Sequence, residues 1–204
     1  MKSIFVAIEG PDGAGKGTQA KRAAGYLFDL HKDNHVFITR EPYKSQYYEE
    51  IRRILRESDN PKDHAEELTQ LFIKDRLVHE TLIRMHLREG NCVVSDRYKH
   101  STLAYQQTQG IPLKKLLKMH KGILIPDLTI IIDVPAKLAL ERMNRDAGRD
   151  FKEVFEKISF QEELRKNYLE LPKAMPEERI VIIDGRGVEN EVFKKVKSEI
   201  DKIL

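Results

Sequence analysis

Glu9-Gly10-Pro11-Asp12-Gly13-Ala14-Gly15-Lys16-Gly17-Thr18-Gln19 is the stretch on which the fold turns. It follows the apolar run Ile4-Phe5-Val6-Ala7-Ile8 and opens onto a pattern that reads as a helix over about 15–30. A strand, a glycine-rich turn and a helix in that order make a cradle for phosphate. Glycine lets backbone N–H groups converge on an anion without Cβ clashes. The helix N-terminus adds the positive end of its dipole. The spacing Gly10-x4-Gly15-Lys16 fits the phosphate-loop pattern, whose lysine reaches the β- and γ-phosphates of a nucleotide. That pattern continues with Ser or Thr, on magnesium. Here Gly17 holds the place and Thr18 comes one residue late. Gly10, Pro11, Asp12, Gly13, Ala14, Gly15, Lys16, Gly17 and Thr18 are the expected contacts of the nucleotide's phosphates.

Working outward, apolar runs at 3–9, 36–39, 92–95, 128–134 and 180–184 alternate with helical patterns. That alternation predicts an α/β fold with a parallel five-stranded sheet. Several runs are apolar on both faces, as in a sheet with helices on both sides. Chemistry in such sheets gathers at the carboxyl ends of the strands. The polar clusters fall there: Asp12 and Lys16, Arg40-Glu41-Pro42, Asp96-Arg97-Tyr98, Asp133-Val134-Pro135 and Asp184-Gly185-Arg186-Gly187. Between the second and third runs lie two helical patterns, at 48–57 and 61–88. In the longer one Leu68, Leu71, Phe72, Asp75, Arg76 and His79 follow i, i+3, i+4 spacing. Phe72 and Arg76 therefore share a face, one turn apart. Periodicity alone leaves Phe72 as core or as a ring platform, and Arg76 as solvated, ion-paired or ligand-binding.

A chain of 204 residues is long enough for one self-sufficient core, so a single domain over 1–204 is expected. A net charge of +3 does not imply a nucleic-acid binder, and no basic-aromatic interleaving suggests one. The single cysteine, Cys92, lies in an apolar run and excludes an internal disulfide, which suits the cytoplasm. The apolar runs are strand-sized, so neither a signal peptide nor a membrane span is expected.

After the third strand the chain reads Asp96-Arg97-Tyr98-Lys99-His100-Ser101-Thr102-Leu103-Ala104-Tyr105-Gln106. This segment resembles the thymidylate kinase family, among the P-loop nucleoside monophosphate kinases. Agreement continues through Arg40-Glu41-Pro42, Leu71-Phe72-x-x-Asp75-Arg76, Pro126-Asp127-Leu128-Thr129, Leu140-Glu141-Arg142, Tyr168-Leu169-Glu170-Leu171 and Ile183-Asp184-Gly185. The resemblance implies a P-loop NTPase-type sheet with a short mobile lid at about 143–152. It implies transfer of the ATP γ-phosphate to dTMP, giving dTDP and ADP on the way to dTTP, with Mg2+ and as a homodimer. By the same resemblance Phe72 would stack on thymine and Arg76 would bond a base carbonyl. Ser101, Thr102 and Gln106 would line the base edge. Tyr105 would crowd the sugar 2′ position, and Asp12 would accept from the 3′-hydroxyl. Arg40 would serve the acceptor. Arg97 would bridge donor and acceptor phosphates, and Asp96 would hold magnesium through water. Lys16, Arg97, Asp96 and Arg149 form the implied catalytic set, with Arg142 and Arg186 toward ATP.

Three features depart from that pattern. Gly17 lacks the metal-binding hydroxyl, as in adenylate kinases. Tyr43-Lys44-Ser45 replaces the Gly-Gly-Thr that follows Arg-Glu-Pro in bacterial members, which makes Lys44 a candidate for the dTMP phosphate. The lid segment is short, with Arg142, Arg145 and Arg149 in it. Two alternatives stay open at this point. One is a kinase of another pyrimidine nucleotide or of a nucleoside. The other is a non-catalytic ATP-binding regulator.

Overall fold

The computed structural model describes residues 2–58, 60, 62–145 and 157–204. Arg149 and most of the expected lid segment lie outside the described residues, as does the side chain of Arg145.

The strands are β1 (Phe5–Glu9), β2 (Val36–Arg40), β3 (Cys92–Asp96), β4 (Leu128–Asp133) and β5 (Ile180–Asp184). They form a parallel sheet in the order β2-β3-β1-β4-β5. The helices are α1 (Lys16–Asp29), α2 (Tyr48–Glu57), α3 (Ala65–Arg88), α4 (Lys99–Thr108), α5 (Leu113–Met119), α6 (Ala136–Arg145), α7 (Ile158–Ala174) and α8 (Glu189–Asp201). β1 is buried throughout and β4 up to its last residue, while the edge strands β2 and β5 are only partly covered.

Successive side chains of a strand point to opposite faces. Ile4, Val6 and Ile8 therefore pack on one side, with Ala20, Ala23 and Leu27 of α1 and Val192, Val196 and Ile200 of α8. Phe5 and Ala7 turn to the other side, against Ile83 of α3 and Tyr98. A further cluster on Ile131 of β4 joins α2, α3, α4, α5 and α7 through Ile51, Leu68, Leu103, Leu116 and Leu164. Parallel strands bring all five carboxyl ends to one edge. Glu9 also points to the α4 side, a placement the site depends on.

The observed strands shift the expected bounds by one or two residues. β1 starts at Phe5, β2 runs on to Arg40, β3 runs on to Asp96 and β4 stops at Asp133. Arg40 and Asp96 pair in register, so two polar residues continue the ladder past the apolar run. α3 begins at Ala65 rather than at 61, because His64 takes a left-handed backbone with φ 58°.

Candidate active site

The loop between β1 and α1 is shaped by close approach. A Cβ at Gly13, whose φ is 77°, would run into the backbone of Ala139. α1 starts at Lys16 without a side-chain cap, so its first-turn amides face the mouth of the loop. Lys16 is buried, and its Nζ donates to the Pro11 carbonyl at 2.8 Å. The Asp12 carboxylate lies 3.6 Å away. Burial, and after it the neighbouring Arg97 charge, push the Lys16 pKa down to about 8. The ammonium is short of negative charge where a phosphate would supply it. Thr18 is exposed on the same first turn.

Arg97 follows β3 in a left-handed backbone, φ 72°, with its own N–H on the Ile8 carbonyl at 2.9 Å. A non-glycine residue there is held by its surroundings. Its guanidinium donates to Asp12 Oδ1 and, at 3.1 Å, to Ser101 Oγ. It also lies 5.3 Å from the Tyr105 ring centre. The Tyr105 hydroxyl donates to Asp12 Oδ2 at 2.8 Å. Burial raises the Tyr105 pKa, outweighing the opposing Arg97 charge, so the phenol stays a donor. For Arg97 burial works against the charge, but Asp12 more than compensates and its pKa stands well above the usual value.

Glu9 supports this group from beneath. Fully buried, it accepts from the Tyr98 and Ser101 backbone N–H groups at 2.8 and 3.1 Å and from Ser101 Oγ at 2.6 Å. A carboxylate at the start of α4 satisfies amides that the helix itself leaves open. Since Ser101 Oγ donates to Glu9, it accepts from Arg97. Ser101 is thus tied to both Glu9 and Arg97 on the first turn of α4.

Beside Arg97 lies a cavity of about 280 Å³. It is lined by Asp12, Arg40, Phe72, Arg76, Ser101, Thr102, Tyr105 and Gln106, with Arg97 at its wall. All the expected acceptor residues meet there except Lys44. Phe72 is half-buried against the α2–α5 cluster. Arg76 is 2% exposed; its Nε and Nη2 donate to Glu41 Oε2 at 2.8 and 2.6 Å, and Nη2 donates to Thr102 Oγ1 at 2.9 Å. Glu41 Oε1 is held in turn by His79 Nδ1 at 3.1 Å. Gln106 is buried, with its amide nitrogen on the Ala65 carbonyl at 3.2 Å and on Gln109. Tyr48 and Arg52 also line the cavity, and sequence reading passed over them. Their i, i+4 spacing on α2 was the available signal.

Lys44 is exposed and lines a neighbouring cavity of about 440 Å³ with Gly17, Lys21, Arg40, Tyr43 and Asp96. Among the described residues Asp96 Oδ1 is buried without a hydrogen-bond partner, and Oδ2 lies 3.6 Å from Arg40. A Cβ at Gly17 would come within 3.1 Å of Asp96 Oδ2. The absent side chain at 17 thus lets the carboxylate approach α1. An orphaned carboxylate oxygen beside a phosphate loop fits a hydrated magnesium ion, which binds by one or two carboxylates and takes its remaining ligands from phosphates and water. Among the described residues no cluster of three metal-binding side chains competes for that role. Arg142 and Arg186 line neither cavity. Arg142 donates to the Gly185 carbonyl at 3.1 Å, and Arg186 pairs with Asp184 at 2.9 Å.

Two cavities share Arg40, Pro42 and Tyr48, and the loop carrying Lys16 opens beside them. Together with the sheet order, this arrangement defines a P-loop protein of the α/β class. The family model for thymidylate kinase matches residues 8–196. A probable thymidylate kinase of Thermococcus gammatolerans is 40% identical over 207 residues, covering 97% of each chain. One of Thermococcus onnurineus is 36% identical over 209 residues, covering 98% of this chain and all of its own. The thymidylate kinase of Dinoroseobacter shibae is 41% identical over 197 residues, covering 94% of this chain and 93% of its own. The chain belongs to the thymidylate kinase family. Among the described residues no helix is long and apolar enough to cross a membrane.

Proposed function

We propose that this chain transfers the γ-phosphate of ATP to dTMP, giving dTDP and ADP. The observation that carries the reading is the position of Arg97, which joins Asp12 of the phosphate loop to Ser101 and Tyr105 of the acceptor cavity. One planar cation between two phosphate sites suits a transfer between them.

A phosphate monoester has its second pKa near about 6, so the acceptor is largely ionised at neutral pH. The reaction needs alignment and charge neutralisation rather than a strong base. Lys16 and the loop amides take the β- and γ-phosphates. Asp96 would hold a hydrated magnesium ion, which would supply further neutralising charge when bound. Arg40, and Lys44 from the neighbouring cavity, serve the acceptor phosphate. Phe72 stacks on the thymine ring and Arg76 donates to a base carbonyl, with Thr102 and Gln106 beside it. Tyr105 fills the space beside the sugar 2′ position. Asp12, which accepts from Arg97 and Tyr105 at the cavity wall, accepts from the sugar 3′-hydroxyl. Two copies pair through α3, where Leu77, Val78 and Met85 are exposed. Such a pair would work in the cytoplasm.

Titration calorimetry on Phe72→Ala tests the acceptor assignment. Loss of a base-stacking ring is expected to weaken dTMP binding about ten- to a hundredfold. ATP affinity is expected to stay within about twofold, because Phe72 lines the acceptor cavity alone. Equal losses for both nucleotides would mark Phe72 as core and contradict the reading.

A further inference from the structure

Arg76 carries five N–H donors. The Nε hydrogen and one on Nη2 go to Glu41, at 2.8 and 2.6 Å, and the second Nη2 hydrogen goes to Thr102 at 2.9 Å. Nη1 lies 3.1 Å from His120 Nε2. Among the described residues, one Nη1 hydrogen has no other partner, on a side chain that lines the acceptor cavity.

His120 sits just past α5, 5% exposed, outside every motif singled out in the sequence. Its Nδ1 lies 2.8 Å from the Leu116 carbonyl oxygen. A carbonyl only accepts, so Nδ1 carries a hydrogen. Burial, and after it the Arg76 charge, push the ring's pKa down to about 3. The imidazole is therefore neutral, and Nε2 offers a lone pair to Arg76. His120 is itself fixed, since its backbone N–H also bonds Leu116 O, at 3.0 Å.

We propose that His120 is a positioning residue for acceptor recognition: its Nε2 takes one Nη1 hydrogen of Arg76 and leaves a single donor facing the base. The inference rests on the reading that dTMP occupies this cavity. A lone N–H donor matches a ring carbonyl and rejects an amino group, because guanidinium cannot accept. Glu41 and Thr102 hold Nε and Nη2 of Arg76, and among the described residues His120 is what occupies an Nη1 hydrogen. Without it the planar guanidinium keeps its place but carries two open Nη1 hydrogens, one of them buried away from the base.

His120→Leu is expected to raise KM for dTMP about tenfold, the scale of one hydrogen bond to a charged group. Turnover at saturation and KM for ATP should stay within about twofold of the unaltered chain. His120→Gln should restore KM for dTMP to within about threefold, since its amide oxygen can accept where Nε2 did. If His120→Leu does not fold, His120→Phe keeps a planar ring without the nitrogens and carries the same expectation. An unchanged KM for dTMP in the leucine or phenylalanine variant overturns the inference. So does a joint loss of turnover and ATP affinity, or a glutamine variant no better than leucine, either of which makes His120 merely structural. Binding of dTMP to the unaltered chain, measured by calorimetry, separates the two claims. If dTMP binds there and the variants match it, only the inference fails; if none binds, the substrate reading fails and the inference with it.

Discussion

Lys16→Ala is expected to lower turnover with ATP and dTMP about a thousandfold while moving the melting temperature by only a few degrees. The rate loss follows from removing a preorganised cation aimed at charge on the transferring group, an effect of about a hundred- to a thousandfold or more at such sites. The small stability change follows from what Lys16 does in the free chain. Among the described residues its side chain makes one hydrogen bond, to the Pro11 carbonyl, and the facing carboxylate is 3.6 Å away. Losing one such bond costs about 1 kcal/mol, a few degrees in a domain of this size. The depressed pKa gives the variant a second readout. In the free chain the lysine is half-deprotonated near pH 8. Bound phosphate favours the charged form and raises that pKa again. ATP binding above about pH 8 should therefore take up a proton, and affinity should fall as pH rises toward the ordinary lysine value. Calorimetry in buffers of different ionisation enthalpy measures the uptake, which Lys16→Ala abolishes. Near-normal turnover in the variant, or an uptake that persists, contradicts the assignment.

Arg97→Ala is expected to cost at least as much, about a thousandfold or more, because the arginine sits between the loop and the acceptor cavity. Its contacts show why lysine should not rescue it. A planar fork reaches Asp12 and Ser101 together, while the same group lies over the Tyr105 ring. An ammonium is a point charge and cannot hold that geometry. The fold should survive. Asp12 keeps the Tyr105 hydroxyl and the nearby Lys16, and its side chain is 27% exposed, so water can reach it. Single-turnover kinetics with both nucleotides saturating isolates the chemical step. Activity of Arg97→Lys within about tenfold of the unaltered chain would contradict the bridging role.

The phosphate loop and the five strands were legible in the sequence because their signals are local. An apolar run, glycines at fixed spacing and a lysine all lie within twenty residues of one another. The residues that line the first cavity were singled out through a family resemblance, not through periodicity, which left Phe72 and Arg76 open. What stayed hidden is pairing across distance. Asp12 meets Arg97 from 85 residues away, and Arg76 meets Glu41 from 35. Nothing near Glu9 announces that it anchors α4, and nothing near His120 announces Arg76. The resemblance put Ser101 at the base edge; it lines that cavity, and its bonds to Glu9 and Arg97 were not legible in the sequence. Lys44, a candidate for the dTMP phosphate, lines the neighbouring cavity that shares Arg40 with the first. The ends of β2 and β3 were set one residue short because Arg40 and Asp96 are polar, although they continue the ladder as a pair.

The central claim is that one cavity takes dTMP and the adjoining loop delivers phosphate to it. It is tested most directly by acceptor-dependent ADP formation from ATP and magnesium, with dTMP, dUMP, dCMP, dGMP and thymidine compared side by side. dTMP is expected to lead clearly, and thymidine, which lacks the phosphate proposed to meet Arg40 and Arg97, is expected to stay at background. ATP that binds while no acceptor raises ADP above background would contradict it.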